Sequence, residues 1–229
     1  MNWMKKVAVA LVCLLPLGLQ AAKVDTLQVK SPSMNKSIEV VVVSPDMAAT
    51  EACPVIYLLH GYGGNARTWV GIKPDLPKIA DEKGIFFVCP DGKNTWYWDS
   101  PLNADVRYET FISDELVKYV DSHYKTVADR KGRAITGLSM GGHGAMWNGL
   151  RHSDVFSAAG STSGGVDIRP FPKNWEMSVQ IGEKAKYPEN WEKYTVINLV
   201  PTLRKDQIAL IFDCGDSDFF LEVNKNYHE

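Results

Sequence analysis

The sequence predicts an α/β fold, a mostly parallel sheet with helices on both faces. Three observations predict it. Apolar runs recur along the chain (VIYLL at 55–59, IFFVC at 85–89, RAIT at 133–136, IALIF at 208–212) without strict alternation, as expected for strands covered on both faces. Segments of helical period lie between them. Strand and helix therefore alternate, the pattern of a parallel sheet with crossover helices.

In chain order, two short β-type runs at 27–30 and 38–43, joined by the turn-like SPSMNK, give the sheet an antiparallel start. After VIYLL comes a helix over 74–82, with proline near its start and Gly84 just past its end. The span 111–124 is amphipathic: Phe111, Ile112, Leu116, Tyr119, Val120 and His123 share a stripe, while Asp114, Lys118 and Asp121 fall elsewhere. RAIT leads into a helix-like segment at 144–150. GSTSG at 160–164 reads as loop, and 166–206, rich in Trp, Pro and Lys, as an irregular insertion over the sheet edge. Residues 219–229 read as the beginning of a further helix, with Phe220, Val223, Asn224 and Tyr227 on one face.

The 229 residues, 45% hydrophobic and 23% charged, suffice for one domain with a sizeable core. A net charge of −2 leaves no basic footprint for nucleic acid. Lys5 and Lys6, the apolar run 7–19 and Gln20-Ala21-Ala22 form a signal peptide over 1–22, too short to span a bilayer stably. Val12 before Cys13 is too bulky for lipid attachment. The expectation is an exported protein, periplasmic or secreted, with a single domain over 23–229 and no stable membrane insertion after cleavage. That domain keeps Cys53, Cys89 and Cys214, an odd number with neither a disulfide framework nor metal-ligand spacing. Buried free thiols are expected.

In such a sheet ligands bind beyond the carboxyl ends of the strands. Those ends carry HGYGG (60–64), PDG (90–92), Ser139 and GDSD (215–218), all on one rim. A Gly-x-Ser-x-Gly match alone would arise roughly once in twelve chains of this composition. Here GLSMG (137–141) follows a strand and opens a helix, the setting in which a sharp turn lifts a serine clear of the sheet. Gly137 and Gly141 serve, one for strained backbone and one for close approach. The helix N-terminus favours developing negative charge. Ser139 is thus the candidate nucleophile for acyl transfer. The oxyanion donors in such a fold are the N–H of the next residue, Met140, and one from the loop after an earlier strand, Tyr62 in HGYGG.

LLHGYGG, PDG, NTWYWDSP, YETFISDEL, GLSMGGHGA and CGDSDFF occur in one order from about residue 35 to the last. Together they resemble the esterase D / feruloyl esterase-like branch of the α/β-hydrolases, which also holds acetyl- and feruloyl-xylan esterases, S-formylglutathione hydrolases and mycolyltransferases. The resemblance implies a serine esterase with a Ser-Asp-His triad in that chain order and no metal or organic cofactor. Ser139 matches the nucleophile, Tyr62 and Met140 the oxyanion donors. Asp218 matches the triad acid, with Asp216 the runner-up and Asp213 structural.

The family histidine follows a further strand after the aspartate, and the sequence departs from that pattern. Its histidines are His60, His123, His143, His152 and His228. His60 reads as a buried loop histidine, and His143 points away from the rim. Only His228 follows Asp218, and a helix rising 1.5 Å per residue would carry it about 15 Å away. The expectation is a C-terminally truncated form lacking the last strand, the histidine and the final helix, inactive or impaired for want of a base.

Trp96 and Trp98, near the end of the strand after HGYGG, are candidate substrate-stacking residues, with packing as the alternative. Export argues against the cytosolic S-formylglutathione substrate. It favours a small-molecule or oligosaccharide ester carrying acetyl or feruloyl/cinnamoyl groups. A non-catalytic carbohydrate-binding or scaffold protein with the same fold is the rival reading.

Overall fold

The computed structural model describes residues 22–229; the signal-peptide tract lies outside the described residues, apart from Ala22. Seven strands form one sheet in the order β1-β2-β4-β3-β5-β6-β7. β1 (Lys23–Ser31) and β2 (Lys36–Ser44) pair antiparallel, and β2 is antiparallel to β4 (Phe86–Pro90). β3 (Val55–Leu59), β4, β5 (Arg133–Gly137), β6 (Ala158–Thr162) and β7 (Ala209–Asp213) run parallel. The expected α/β architecture with an antiparallel start is what the chain forms.

The continuous apolar runs follow from burial on both faces. Val40 and Val42 join one core cluster, with Tyr57, Leu59, Phe111, Leu116 and Trp147. Val41 and Val43 join the other, with Leu58, Leu76, Ala80 and Phe87. The period of two along a strand sends alternate residues to opposite faces, so both sets must be apolar. Each large side chain buried this way contributes roughly 1.5–3 kcal/mol.

Helix Leu76–Lys83 covers the second cluster and ends at Gly84, whose left-handed φ of 63° is the conformation a glycine cap adopts readily. The first cluster is covered by Met140–Arg151 and by the helical run at 108–123, which contains a π-helical segment, Phe111–Glu115. The helix after the nucleophile starts four residues before the predicted 144–150. The last helix is Leu221–His228.

The expectation that 160–164 is loop is corrected: Ala158–Thr162 is strand β6, between β5 and β7. Its sequence, AAGST, lacks large apolar residues because its neighbours leave no room. A Cβ on Gly160 would sit 2.5 Å from Thr136 Oγ1, and one on Gly149 2.5 Å from Ala159 Cβ. The insertion at 166–206 is less irregular than its composition suggests. It contains helices Met177–Ile181 and Pro188–Lys193 and a 3₁₀ segment, Val196–Thr202, anchored by buried Met177, Ile181 and Trp191.

Among the described residues β7 is an edge strand with a neighbour on one side only, and Ile211 is 74% exposed. Cys53 and Cys89 are buried free thiols, and burial raises the pKa of each. Cys214 is half-buried and also free.

Candidate active site

Ser139 sits between the end of β5 and helix Met140–Arg151 with φ 57° and ψ −116°, in the left-handed half of backbone space. Such a residue costs on the order of 1–3 kcal/mol and persists only where its surroundings hold it. Here the Ser139 N–H donates to the Thr162 carbonyl at 2.9 Å, and the His143 N–H donates to the Ser139 carbonyl at 3.0 Å. The two glycines of the motif both serve close approach. A Cβ on Gly141 would overlap the Leu59 carbonyl, and one on Gly137 would overlap the Gly141 carbonyl. The strained backbone expected at one of them is instead at the serine itself.

The HGYGG loop lies against this turn. A Cβ on Gly61 would come 3.6 Å from Ser139 Cβ, so the loop passes directly beside the serine. Residues 61–64 form a tight turn closed by Gly64 N–H donating to the Gly61 carbonyl at 3.0 Å, with Gly63 at φ 75°. Met140 is the first residue of its helix, where an N–H has no intrahelical partner. Ser139, Met140 and Tyr62 are thus brought together at one point of the rim.

Asp218 and Asp216 are on the loop after β7, two strands from β5 on the same rim. Asp218 is half-buried and its Oδ1 accepts from the Phe220 N–H at 2.7 Å, fixing the entry to the last helix; Asp216 is exposed. Strand spacing puts β7 roughly 10 Å from β5, a gap that one imidazole between a serine and a carboxylate would bridge.

The five histidines are placed elsewhere. His60 is 1% exposed; its Nδ1 lies 2.8 Å from the Gly61 carbonyl and its Nε2 accepts from Gly92 N–H at 2.9 Å, which assigns the neutral Nδ1–H tautomer. His143 is fully buried among Trp96, Trp98 and Trp147, donating from Nδ1 to the Gly165 carbonyl at 2.8 Å. Burial lowers its pKa to about 4, against a smaller opposing effect of that hydrogen bond. His152 Nε2 meets the Glu109 carboxylate at 2.8 Å, and His123 stacks on Tyr119 on an exposed helix face. His228 ends Leu221–His228, about 10 Å along the axis from the helix start.

The substrate-stacking role expected of Trp96 and Trp98 is corrected. They are 1% and 0% exposed and stack on each other at 5.7 Å beneath the rim. Indoles closed off from solvent offer no face to a ligand. They form the aromatic wall that holds His143.

Backbone strain marks the same rim. Of the nine non-glycine residues with positive φ among the described residues, seven belong to it or to the loops packed on it: Lys93, Trp96, Tyr97, Ser139, Ser163, Trp175 and Glu176. Thr162, whose carbonyl holds the Ser139 N–H, and Asn94, whose Oδ1 accepts from Gly63 N–H at 2.9 Å, escaped the sequence reading. Thr162 acts through its backbone, which no side-chain pattern reveals. Asn94 opens the NTWYWDSP stretch, where the turn propensity of the DGKN tract and the aromatic residues after it give no sign of its contact with Gly63. Among the described residues, no three His, Cys, Asp or Glu side chains are grouped to hold a metal ion.

A family model described as "Putative esterase" matches residues 31–228. The chain belongs to this esterase family. An esterase of Mycobacterium tuberculosis is 30% identical over 149 residues, covering 62% of this chain but only 32% of that protein. An acetyl esterase of Caldicellulosiruptor saccharolyticus is 25% identical over 195 residues, 77% of this chain and 70% of the relative. Among solved structures a ferulic acid esterase superposes with a TM-score of 0.73 at 29% identity, covering 91% of this chain and 85% of its own. This esterase-family chain therefore spans about a third of the mycobacterial relative and most of the other two. The family's α/β-hydrolase fold agrees with the sheet order and with a serine at the strand-to-helix turn.

Proposed function

We propose that the protein is a serine carboxylesterase whose nucleophile is Ser139. The observation that carries this reading is the strained φ of Ser139 at a helix N-terminus, with Gly61 of the HGYGG turn against its Cβ. The Ser139 hydroxyl attacks the ester carbonyl carbon, its proton passing to a histidine. The Met140 and Tyr62 N–H groups receive the oxyanion, and the alcohol leaves with the proton. Water then hydrolyses the acyl-enzyme, restoring the serine. Asp218 orients the histidine and stabilises its charged form.

None of the five histidines in the sequence is placed as that base, because each is engaged elsewhere or set away from Ser139. The signal-peptide tract favours export, and with it an acetyl or feruloyl/cinnamoyl ester of a plant polysaccharide fragment. The acetyl esterase and ferulic acid esterase relatives support this substrate class. Side-by-side release of acetate and ferulate from decorated xylan oligosaccharides tests it; release of neither removes the polysaccharide assignment. Comparing Asp218→Asn with Asp216→Asn tests the acid, the larger loss of turnover marking the triad member.

The placement of the five histidines also favours a second reading, a carbohydrate-binding protein that keeps the fold without catalysis. It requires that no ester hydrolysis depend on Ser139.

A further inference from the structure

The strained residues of the rim fall in facing pairs of loops, and Asn94 stands where three segments meet. Its Oδ1 accepts from the Gly63 N–H at 2.9 Å, the amide directly after Tyr62. Its Nδ2 donates to Glu176 Oε2 at 3.2 Å. The two contacts agree on one orientation of the amide, oxygen toward the N–H and nitrogen toward the carboxylate. An Asp at this position could make only the first contact, and a Leu could make neither.

Each end of this bridge is built under strain. On the Asn94 side, Lys93, Trp96 and Tyr97 have φ of 50°, 58° and 60°. On the far side, Trp175 and Glu176 are consecutive left-handed residues with φ of 47° and 54°. The corner is pinned by Trp96 Nε1 donating to the Trp175 carbonyl at 3.1 Å. Two adjacent left-handed residues outside glycine are strained, and the hydrogen bonds to this corner offset that strain. The Glu176 carboxylate also neighbours the Tyr62 hydroxyl, where partial burial together with that charge raises the phenol pKa. The turn carrying the Tyr62 N–H is therefore held by its backbone through Asn94, with the Glu176 carboxylate near the Tyr62 side chain.

A four-residue turn rich in glycine has alternative peptide orientations of similar energy, and flipping the Tyr62 peptide would turn its N–H away from Ser139. We propose that Asn94 is a positioning residue, whose hydrogen bond to the Gly63 N–H selects the orientation that aims the Tyr62 N–H at the oxyanion. Glu176, at the end of the insertion's strained corner, fixes the Asn94 amide and so links the insertion to the oxyanion site. The proposal rests on the serine-esterase reading above.

The test compares the parent chain with Asn94→Ala, the double variant Asn94→Asp/Glu176→Gln and Ser139→Ala. The rate of acylation by p-nitrophenyl acetate is followed as p-nitrophenolate release, and amide hydrogen exchange is followed at Gly63. Asn94→Ala is expected to slow acylation by about tenfold to 100-fold, the upper end being loss of one oxyanion donor. KM should stay within about twofold and Gly63 exchange should rise. The double variant Asn94→Asp/Glu176→Gln keeps an acceptor for Gly63 and restores the contact between residues 94 and 176 with donor and acceptor exchanged, so it should recover most of the rate, which a merely destabilised fold would not do. Unchanged acylation and unchanged Gly63 exchange in Asn94→Ala overturn the proposal, as does failure of Asn94→Asp/Glu176→Gln to recover a rate lost without loss of thermal stability. A parent rate equal to that of Ser139→Ala overturns the esterase reading instead and removes the catalytic role of Asn94 with it. Gly63 exchange still reports separately whether Asn94 tethers the turn.

Discussion

The Ser139 N–H is held by the Thr162 carbonyl at 2.9 Å, so the strained serine hangs from the neighbouring strand β6. The β5–β6 spacing thereby sets the position of the proposed nucleophile. Small residues in β6 and glycines in the motif are what permit that spacing.

Gly141→Ala tests the close approach behind the serine. Its Cβ would overlap the Leu59 carbonyl, a backbone atom that cannot rotate aside. We expect a loss of about 2–3 kcal/mol, as for overpacking of a tight core site. At this chain length that lowers Tm by roughly 5–10 °C. An unchanged Tm in thermal unfolding would contradict the observed backbone contact.

His143 makes acid stability a reporter of the aromatic box. Its folded pKa is about 4, below the ordinary 6.5. Between these values the unfolded chain binds a proton that the native chain does not, so stability falls as pH drops from about 6.5 toward 4. The loss amounts to on the order of 3 kcal/mol. His143→Gln can still donate to the Gly165 carbonyl and does not titrate. Its urea midpoint should vary less over this window, whereas parallel pH profiles would place His143 outside the box.

A second acid-sensitive group acts at lower pH. Glu109 is buried, which by itself would raise its pKa. Donors from His152, Arg151 and the Trp147 indole, at 2.8, 2.8 and 2.7 Å, outweigh that and hold it below the usual value. A depressed carboxylate pKa gives stability that is complete above the unfolded value and lost as pH falls through the folded one. Glu109→Gln should be less stable than the parent at pH 7, with the difference shrinking below about pH 4. Guanidine titrations at both pH values read it, and a gap that does not narrow would contradict the assignment.

Trp98→Phe separates packing from substrate contact. With Trp98 fully buried, the substitution should lower Tm through a cavity costing roughly 1–3 kcal/mol and leave KM for acetyl esters within about twofold. A raised KM with unchanged Tm would restore Trp98 to the substrate site.

The sequence carried the fold wherever burial wrote a pattern. VIYLL and IFFVC read as strands because both faces are covered, and Gly84 marked a helix end because its φ is left-handed. β6 was illegible for the opposite reason, since contact with Thr136 and the nucleophile helix excludes the large residues that identify strands. Ser139, Met140 and Tyr62 were legible from motif and position. The burial of Trp96 and Trp98 was not, because it depends on Trp175 and Tyr194, far along the chain, folding over them. The insertion's helices are short and held by such tertiary contacts, so no long periodicity announces them.

The central claim is that Ser139 is the nucleophile of an ester hydrolase. Its most direct measurement is p-nitrophenolate release from p-nitrophenyl acetate by the parent protein and by Ser139→Ala, with intact-mass detection of an acetylated serine. The account predicts that release above the buffer rate and the 42 Da adduct, roughly the mass of one acetyl group replacing a proton on the serine oxygen, both disappear in Ser139→Ala. Release that persists unchanged in that variant would contradict it.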